Sequence, residues 1–207
     1  MVTLRIESGA RGLTTLVGRA VALDPQAAAR AQQVPGGVDV FVTTPFDAIA
    51  SRRASGTIAP DRSAMAAKDL LVALQSGSVE VGPARPAAWP GALPPADGFV
   101  LREEVPVGVA RRLADEGRTL ARQFAGPAGP PRSLLDSVVL TADAEGADPV
   151  DVPMRMIFAC TALGLVPGFE APAEIPRHLR ISTCGGWTRL DAPFGSVYRN
   201  TRPNLLF

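Results

Sequence analysis

Residues 82–98 carry five prolines in seventeen positions: Pro83, Pro86, Pro90, Pro94 and Pro95. Proline has no amide proton to give a helix or a ladder, and its ring fixes φ. No helix and no central strand can therefore cross this segment. It cuts the 207-residue chain into two stretches, each near the size of a small domain. We read it as an extended, stiff connector (82–98) between an N-terminal subdomain (1–81) and a C-terminal one (99–207), packed together as one unit. Trp89 and Leu93 are expected to anchor it on a domain, in preference to its acting as a proline-rich ligand. Apolar residues make up 46% of the chain and charged residues 20%, which suits a folded core and not a disordered chain.

The local patterns on either side predict an α+β fold of two small subdomains, the second with two main helices and a C-terminal β-hairpin. Val2, Leu4 and Ile6 alternate with Thr3, Arg5 and Glu7, as in a half-buried strand. Leu13, Leu16, Val17 and Ala20 follow at helical spacing. Asp24-Pro25 reads as the start of a second helix through Ala27 to Arg30, with Asp as N-cap and Pro at the first turn. Residues 38–42 and 46–52 read as two antiparallel strands, and Leu70, Leu71 and Leu74 as a helix ending near Gly77. Beyond the connector, a long helix is expected from about Pro106 to Phe124, buried through Val109, Leu113, Leu120 and Phe124. A loop follows through Gly126-Pro127 and Gly129, then a helical turn near Ser133 and a strand over 138–142. Pro153 opens an almost wholly apolar helix, which should be buried. Residues 179–192 predict a hairpin turning at Gly185-Gly186, with Cys184 opposite Trp187, Ser182 opposite Arg189 and Arg180 opposite Asp191. Leu179, Ile181, Leu190 and Ala192 then share the core face. The apolar tail Leu205-Leu206-Phe207 is expected to dock.

The side chains of ordinary catalysis are scarce. The chain has one histidine (His178), one lysine (Lys68), one tyrosine (Tyr198) and two cysteines (Cys160, Cys184). Histidine is the usual acid–base group near neutral pH, and structural zinc usually takes four protein ligands. His178 and Cys184 lie six residues apart on one strand, roughly 20 Å, too far for a thiol–imidazole dyad. The acidic stretch Asp136, Asp143, Glu145, Asp148 and Asp151 lacks the spacing and glycine of a calcium loop. Gly9-Ala10-Arg11-Gly12 lacks the rest of a phosphate loop. The reading is therefore no catalytic residue, no metal ligand and no cofactor.

Net charge is +1, spread evenly, so nothing draws the chain toward nucleic acid or anionic lipid. Arg5, Glu7, Arg11 and Arg19 break up the N-terminal apolar residues. No secretory leader is expected, and no stretch is long enough to span a membrane. Two cysteines without a secretory context point to a reducing cytoplasm.

Asp24-Pro25, Pro45-Phe46, Trp89 through Leu93-Pro94-Pro95, and the run from Gly186-Trp187-Thr188-Arg189 through Pro193-Phe194-Gly195 to Tyr198-Arg199 resemble a family of short actinobacterial proteins of unknown function. The resemblance spans most of the chain. It implies a cytoplasmic bacterial protein with a two-part α+β layout, and no functional residues carry over from it.

The sequence leans against an enzyme. It favours a non-enzymatic interaction or regulatory protein of the bacterial cytoplasm, with another protein as partner and a candidate surface at Trp187, Arg189, Tyr198 and Arg199. Two alternatives stand beside it. One is an enzyme built on carboxylate and arginine chemistry. The other is a winged-helix-like nucleic-acid binder, since helix 106–124, a short helix, helix 153–164 and a hairpin arrive in that order. The apolar third helix argues against nucleic acid, because a recognition helix needs polar and basic side chains.

Overall fold

The computed structural model describes residues 1–124, 130–143, 148–168 and 170–201. The expected loop through Gly126-Pro127 and Gly129, and the docking of Leu205-Leu206-Phe207, lie outside them. The described residues form a mixed α/β fold with five α-helices and twelve strands. They divide into two compact units, 1–96 and 97–207.

The first unit contains β1 (Val2–Ser8), α1 (Ala10–Leu23), β2 (Ala28–Val34), β3 (Gly37–Thr43), β4 (Ile49–Ala59), β5 (Ala64–Ala66), α2 (Ala67–Ser76) and β6 (Glu80–Gly82). Its sheet runs β5-β2-β3-β4, and β1 pairs with both β4 and β6, all antiparallel. β4 serves two partners in turn. Ile49 to Ala54 pair with β3, and Ser55 to Ala59 pair with β1. Gly56 sits where β4 changes partner, with φ 154°, and a Cβ there would stand 2.0 Å from the Arg5 carbonyl oxygen. Only glycine allows that approach. α1 packs on α2 and the sheet through Leu13, Leu16, Val17 and Ala20, the apolar positions of its sequence pattern.

The helix expected over 27–30 is instead the strand β2, paired with β3 from Ala29↔Val42 to Val34↔Gly37. Asp24 closes α1: its N–H donates to the Ala20 carbonyl, and its Oδ1 accepts from the Gln26 N–H at 2.8 Å. Alanine favours helix in isolation. Here Ala28, Ala29 and Ala31 are buried between strands on either side, and tertiary pairing overrides propensity. In the proline-rich segment, Pro86–Ala88 make a 3₁₀ turn. The Arg85 N–H donates to the Ala64 carbonyl at 2.7 Å, and Trp89 is only 6% exposed.

The second unit contains β7 (Val100–Pro106), α3 (Val107–Phe124), α4 (Arg132–Asp136), β8 (Val138–Ala142), β9 (Val150–Pro153), α5 (Met154–Ala162), β10 (His178–Cys184), β11 (Trp187–Ala192) and β12 (Gly195–Asn200). The expected hairpin is β10–β11, in the expected register: Arg180↔Asp191, Ser182↔Arg189, Cys184↔Trp187. Leu179, Ile181 and Leu190 are buried as their alternation requires, while Ala192 is half-buried. The hairpin is not a free wing. It is the middle of an antiparallel sheet β12-β11-β10-β7. β8 and β9 form a separate two-stranded ribbon.

α3 differs from its expected stripe. Val107, Ala110, Ala114 and Gly117 are buried, whereas Leu120 is 43% and Phe124 66% exposed. The helix is turned so that its small residues meet α5. A Cβ on Gly117 would stand 2.7 Å from the Met154 methyl carbon and 2.9 Å from a Phe158 ring carbon. Close helix approach outweighed the burial of two larger side chains. α5 buries Met154 to Cys160 without a break. Its one charged residue, Arg155, is paired with Asp136. A winged-helix layout, with α5 exposed for recognition and the hairpin as wing, is not what these elements build.

Candidate functional site

The four residues of the candidate surface all lie on β11 and β12, but the sheet divides them. Arg189 and Tyr198 are directly opposite each other across the two strands. The Arg189 guanidinium sits 4.2 Å from the centre of the Phe99 ring. Phe99 and Tyr198 meet edge to face, with centroids 6.0 Å apart. Arg189 Nε lies 2.9 Å from Asp191 Oδ2, and the Ser196 hydroxyl donates to Asp191 Oδ1 at 2.5 Å. A cation over a ring, an edge-to-face pair and an anchored carboxylate hold one another in place. Tyr198 is 9% exposed, so this cluster is largely a packed one.

Arg199 pairs in register with Thr188, so it points to the opposite face from Arg189 and Tyr198. There it lines an open groove of about 990 Å³, which Trp187, on the Arg189 face by strand alternation, borders from the turn end of β11. The groove lies within the second unit and has two walls. The sheet wall carries Arg102, Thr183, Trp187, Thr188 and Arg199. The other wall is formed by residues 148–151 at the start of β9. Arg102 Nε donates to the Thr183 hydroxyl at 2.8 Å, and the Thr141 hydroxyl donates to Asp151 Oδ1 at 3.0 Å. Among the described residues, Arg199 Nε is buried with no hydrogen-bond partner. A buried donor left unmade costs about 1–3 kcal/mol, so this one marks a place where an acceptor is wanted.

The sequence reading named Trp187 and Arg199 as candidates and set Asp148 and Asp151 in the acidic stretch. It missed Phe99 and Arg102, which no pattern marks. Among the described residues the acidic stretch does not converge: Asp136 is taken by Arg155 and Asp151 by Thr141; Glu145 lies outside them. Among the described residues, no group of three or more His, Cys, Asp or Glu could hold a metal ion. His178 and Cys184 occupy opposite ends of β10. Cys160 is fully buried in α5, and that burial pushes its thiol up to about 12. Gly12, in the first turn of α1, lies beneath the Arg52 guanidinium, where a Cβ would stand 2.2 Å from Cζ. Burial lowers the Arg52 pKa from its ordinary value. No helix among the described residues is long and apolar enough to cross a membrane.

The fold is similar to that of DNA polymerase sliding clamps. Over 99% of this chain and 67% of the other, it matches the clamp from Caulobacter crescentus at 13% identity with a TM-score of 0.59. Over 99% and 64%, it matches the clamp from Pseudomonas aeruginosa at 13% identity and a TM-score of 0.53. A putative DNA polymerase III beta subunit from Eubacterium rectale matches over 100% and 66%, at 8% identity and a TM-score of 0.59. The chain thus spans about two thirds of the length of these clamps. At such identities the likeness concerns the fold alone. A comparison with curated proteins gave no match. Two family models cover the chain, one described as "Domain of unknown function (DUF8010)" over residues 2–91 and the other as "Domain of unknown function (DUF8185)" over residues 94–204. The second takes in more than half of the chain, which therefore belongs to the DUF8185 family.

Proposed function

We propose that the protein is a non-enzymatic interaction or regulatory module of the bacterial cytoplasm, in an actinobacterial setting, and that it acts by holding another protein. The observation that carries this reading is the likeness to sliding clamps along nearly the whole chain. Those proteins are named as subunits of a DNA polymerase. The scarcity of acid–base side chains supports binding over chemistry. The near-zero net charge supports a protein over a phosphate backbone as partner. In this reading Trp187 and Arg199 belong to the contact surface, and Arg189 and Tyr198 hold the strands that present them.

The test is affinity capture from the native cytosol with the tagged full chain, followed by mass spectrometry. Wild type should retain a defined partner, and Trp187→Ala should weaken its retention several-fold while leaving the melting temperature unchanged. Retention of nothing above background, or equal retention by both proteins, overturns the reading.

A further inference from the structure

The groove beside Trp187 has walls of opposite charge. Arg102 and Arg199 lie on the sheet side, Asp148 and Asp151 on the β9 side. Among the described residues no ion pair joins the two walls. Arg102 is bonded to Thr183 and Asp151 to Thr141, each on its own side. Unlike charges that share a groove without pairing leave both signs open to an occupant, and the buried, unpartnered Nε of Arg199 places one acceptor position at the sheet wall.

The β9 wall also says what kind of occupant fits. Of the residues on this wall only Val150 and Asp151 belong to β9, while Asp148 and Pro149 precede it and Pro149 has no N–H; successive strand residues point to opposite faces, so Val150 and Asp151 together present the short edge at the start of β9. Among the described residues β9 pairs only with β8. A free strand edge offers main-chain donors and acceptors to another extended backbone, with specificity left to the alternating side chains.

We infer that the groove binds an extended peptide segment of a partner protein in which an acidic and a basic residue are adjacent. The acidic side chain turns to Arg199 and Arg102, and the basic one to Asp148 and Asp151. An apolar residue beside them reaches Trp187 where it borders the groove at the turn end of β11. Adjacent residues of an extended peptide point in opposite directions, which is what two facing walls of opposite sign require. A free polyanion does not fit, because the β9 wall repels it.

This inference rests on the protein-interaction reading above, and its test is separate from that one. A display library of random seven-residue peptides is panned on the full-length chain, and the enriched peptides are synthesised and titrated by fluorescence anisotropy. Adjacent acid–base pairs next to an aliphatic or aromatic residue should be enriched. Arg199→Gln should weaken their binding at least tenfold. Asp148→Lys, a change at an exposed residue, should shift the enrichment from basic to acidic at the second position. No enrichment of acid–base pairs, equal binding by R199Q, or an unchanged preference in D148K overturns the groove assignment. So does displacement of the peptides by inorganic phosphate at comparable concentration, which would mean a simple anion site. If capture from cytosol retains a partner but the library fails, the groove alone is wrong. If capture itself retains nothing, the interaction reading fails first.

Discussion

At the scale of single residues, burial and not motif decides what the few reactive groups can do. Cys160 and Cys184 are both free thiols, one fully buried in α5 and one half-exposed at the β10–β11 turn. An aromatic disulfide reagent at pH 8 should titrate one thiol in the folded chain and two after denaturation. Modification of both at similar rates in the folded chain would contradict the buried placement. The thiol of Cys160 also ties stability to pH. Unfolded, it ionises near its ordinary value of 9.0; folded, it holds its proton to about 12. Between those values the folded state binds more protons, so its contribution is complete below pH 9 and declines as pH rises. Urea titrations of wild type and Cys160→Ala at pH 8 and pH 10 check this. Between those two pH values the wild type should lose about 1.4 kcal/mol more than the variant. The thiols themselves were legible in the sequence. The six-residue separation of His178 and Cys184 on one strand was legible too, and the structure places them at opposite ends of β10.

At the scale of elements, strongly patterned segments were legible and weakly patterned ones were not. The β10–β11 hairpin came with its register because a slip by one residue would bury Arg180 and Arg189. α1 came with its buried stripe because Leu13, Leu16, Val17 and Ala20 allow only one face. β7 and β12 were missed. β7 buries only Val105, and Gly195-Ser196 opens β12 with residues common in turns. α3 shows how a correct helix can have the wrong face. Its larger apolar residues suggested a stripe ending at Leu120 and Phe124, but both remain exposed while Ala110, Ala114 and Gly117 are buried and α3 packs on α5 at Gly117. Phe124→Ala should therefore change stability by less than about 0.5 kcal/mol. Ala114→Leu should cost about 1–3 kcal/mol by overpacking the α3–α5 contact. Chemical denaturation of both variants decides between the two faces, and the reverse order of costs would restore the sequence-read stripe.

At the scale of the whole molecule, the chain divides into two compact units, 1–96 and 97–207, and all five prolines of the 82–98 segment fall in the first of them. Trp89, buried beside β5, fastens it there. Trp89→Ala should destabilise that unit by about 3 kcal/mol. Hydrogen exchange read by mass spectrometry should show faster exchange in peptides covering β2, β5 and residues 82–90. Peptides covering β10 and β11 should keep their protection. A uniform loss across the chain would show that Trp89 does not act locally. The sequence by itself determined that no helix or central strand crosses 82–98, which face of α1 and of the hairpin is buried, and how few acid–base side chains the chain carries. Each of these follows from local rules: the missing proton of proline, the periods of helix and strand, the reference pKa of each side chain. Only the tertiary structure decided that Ala28 to Val34 is a strand, that α3 turns its small residues inward, and that Arg102, Arg199 and Trp187 share a groove with Asp148 and Asp151. Those outcomes depend on which elements come to lie side by side. That is set by the competition of many segments for one core, and no local window of the sequence contains it.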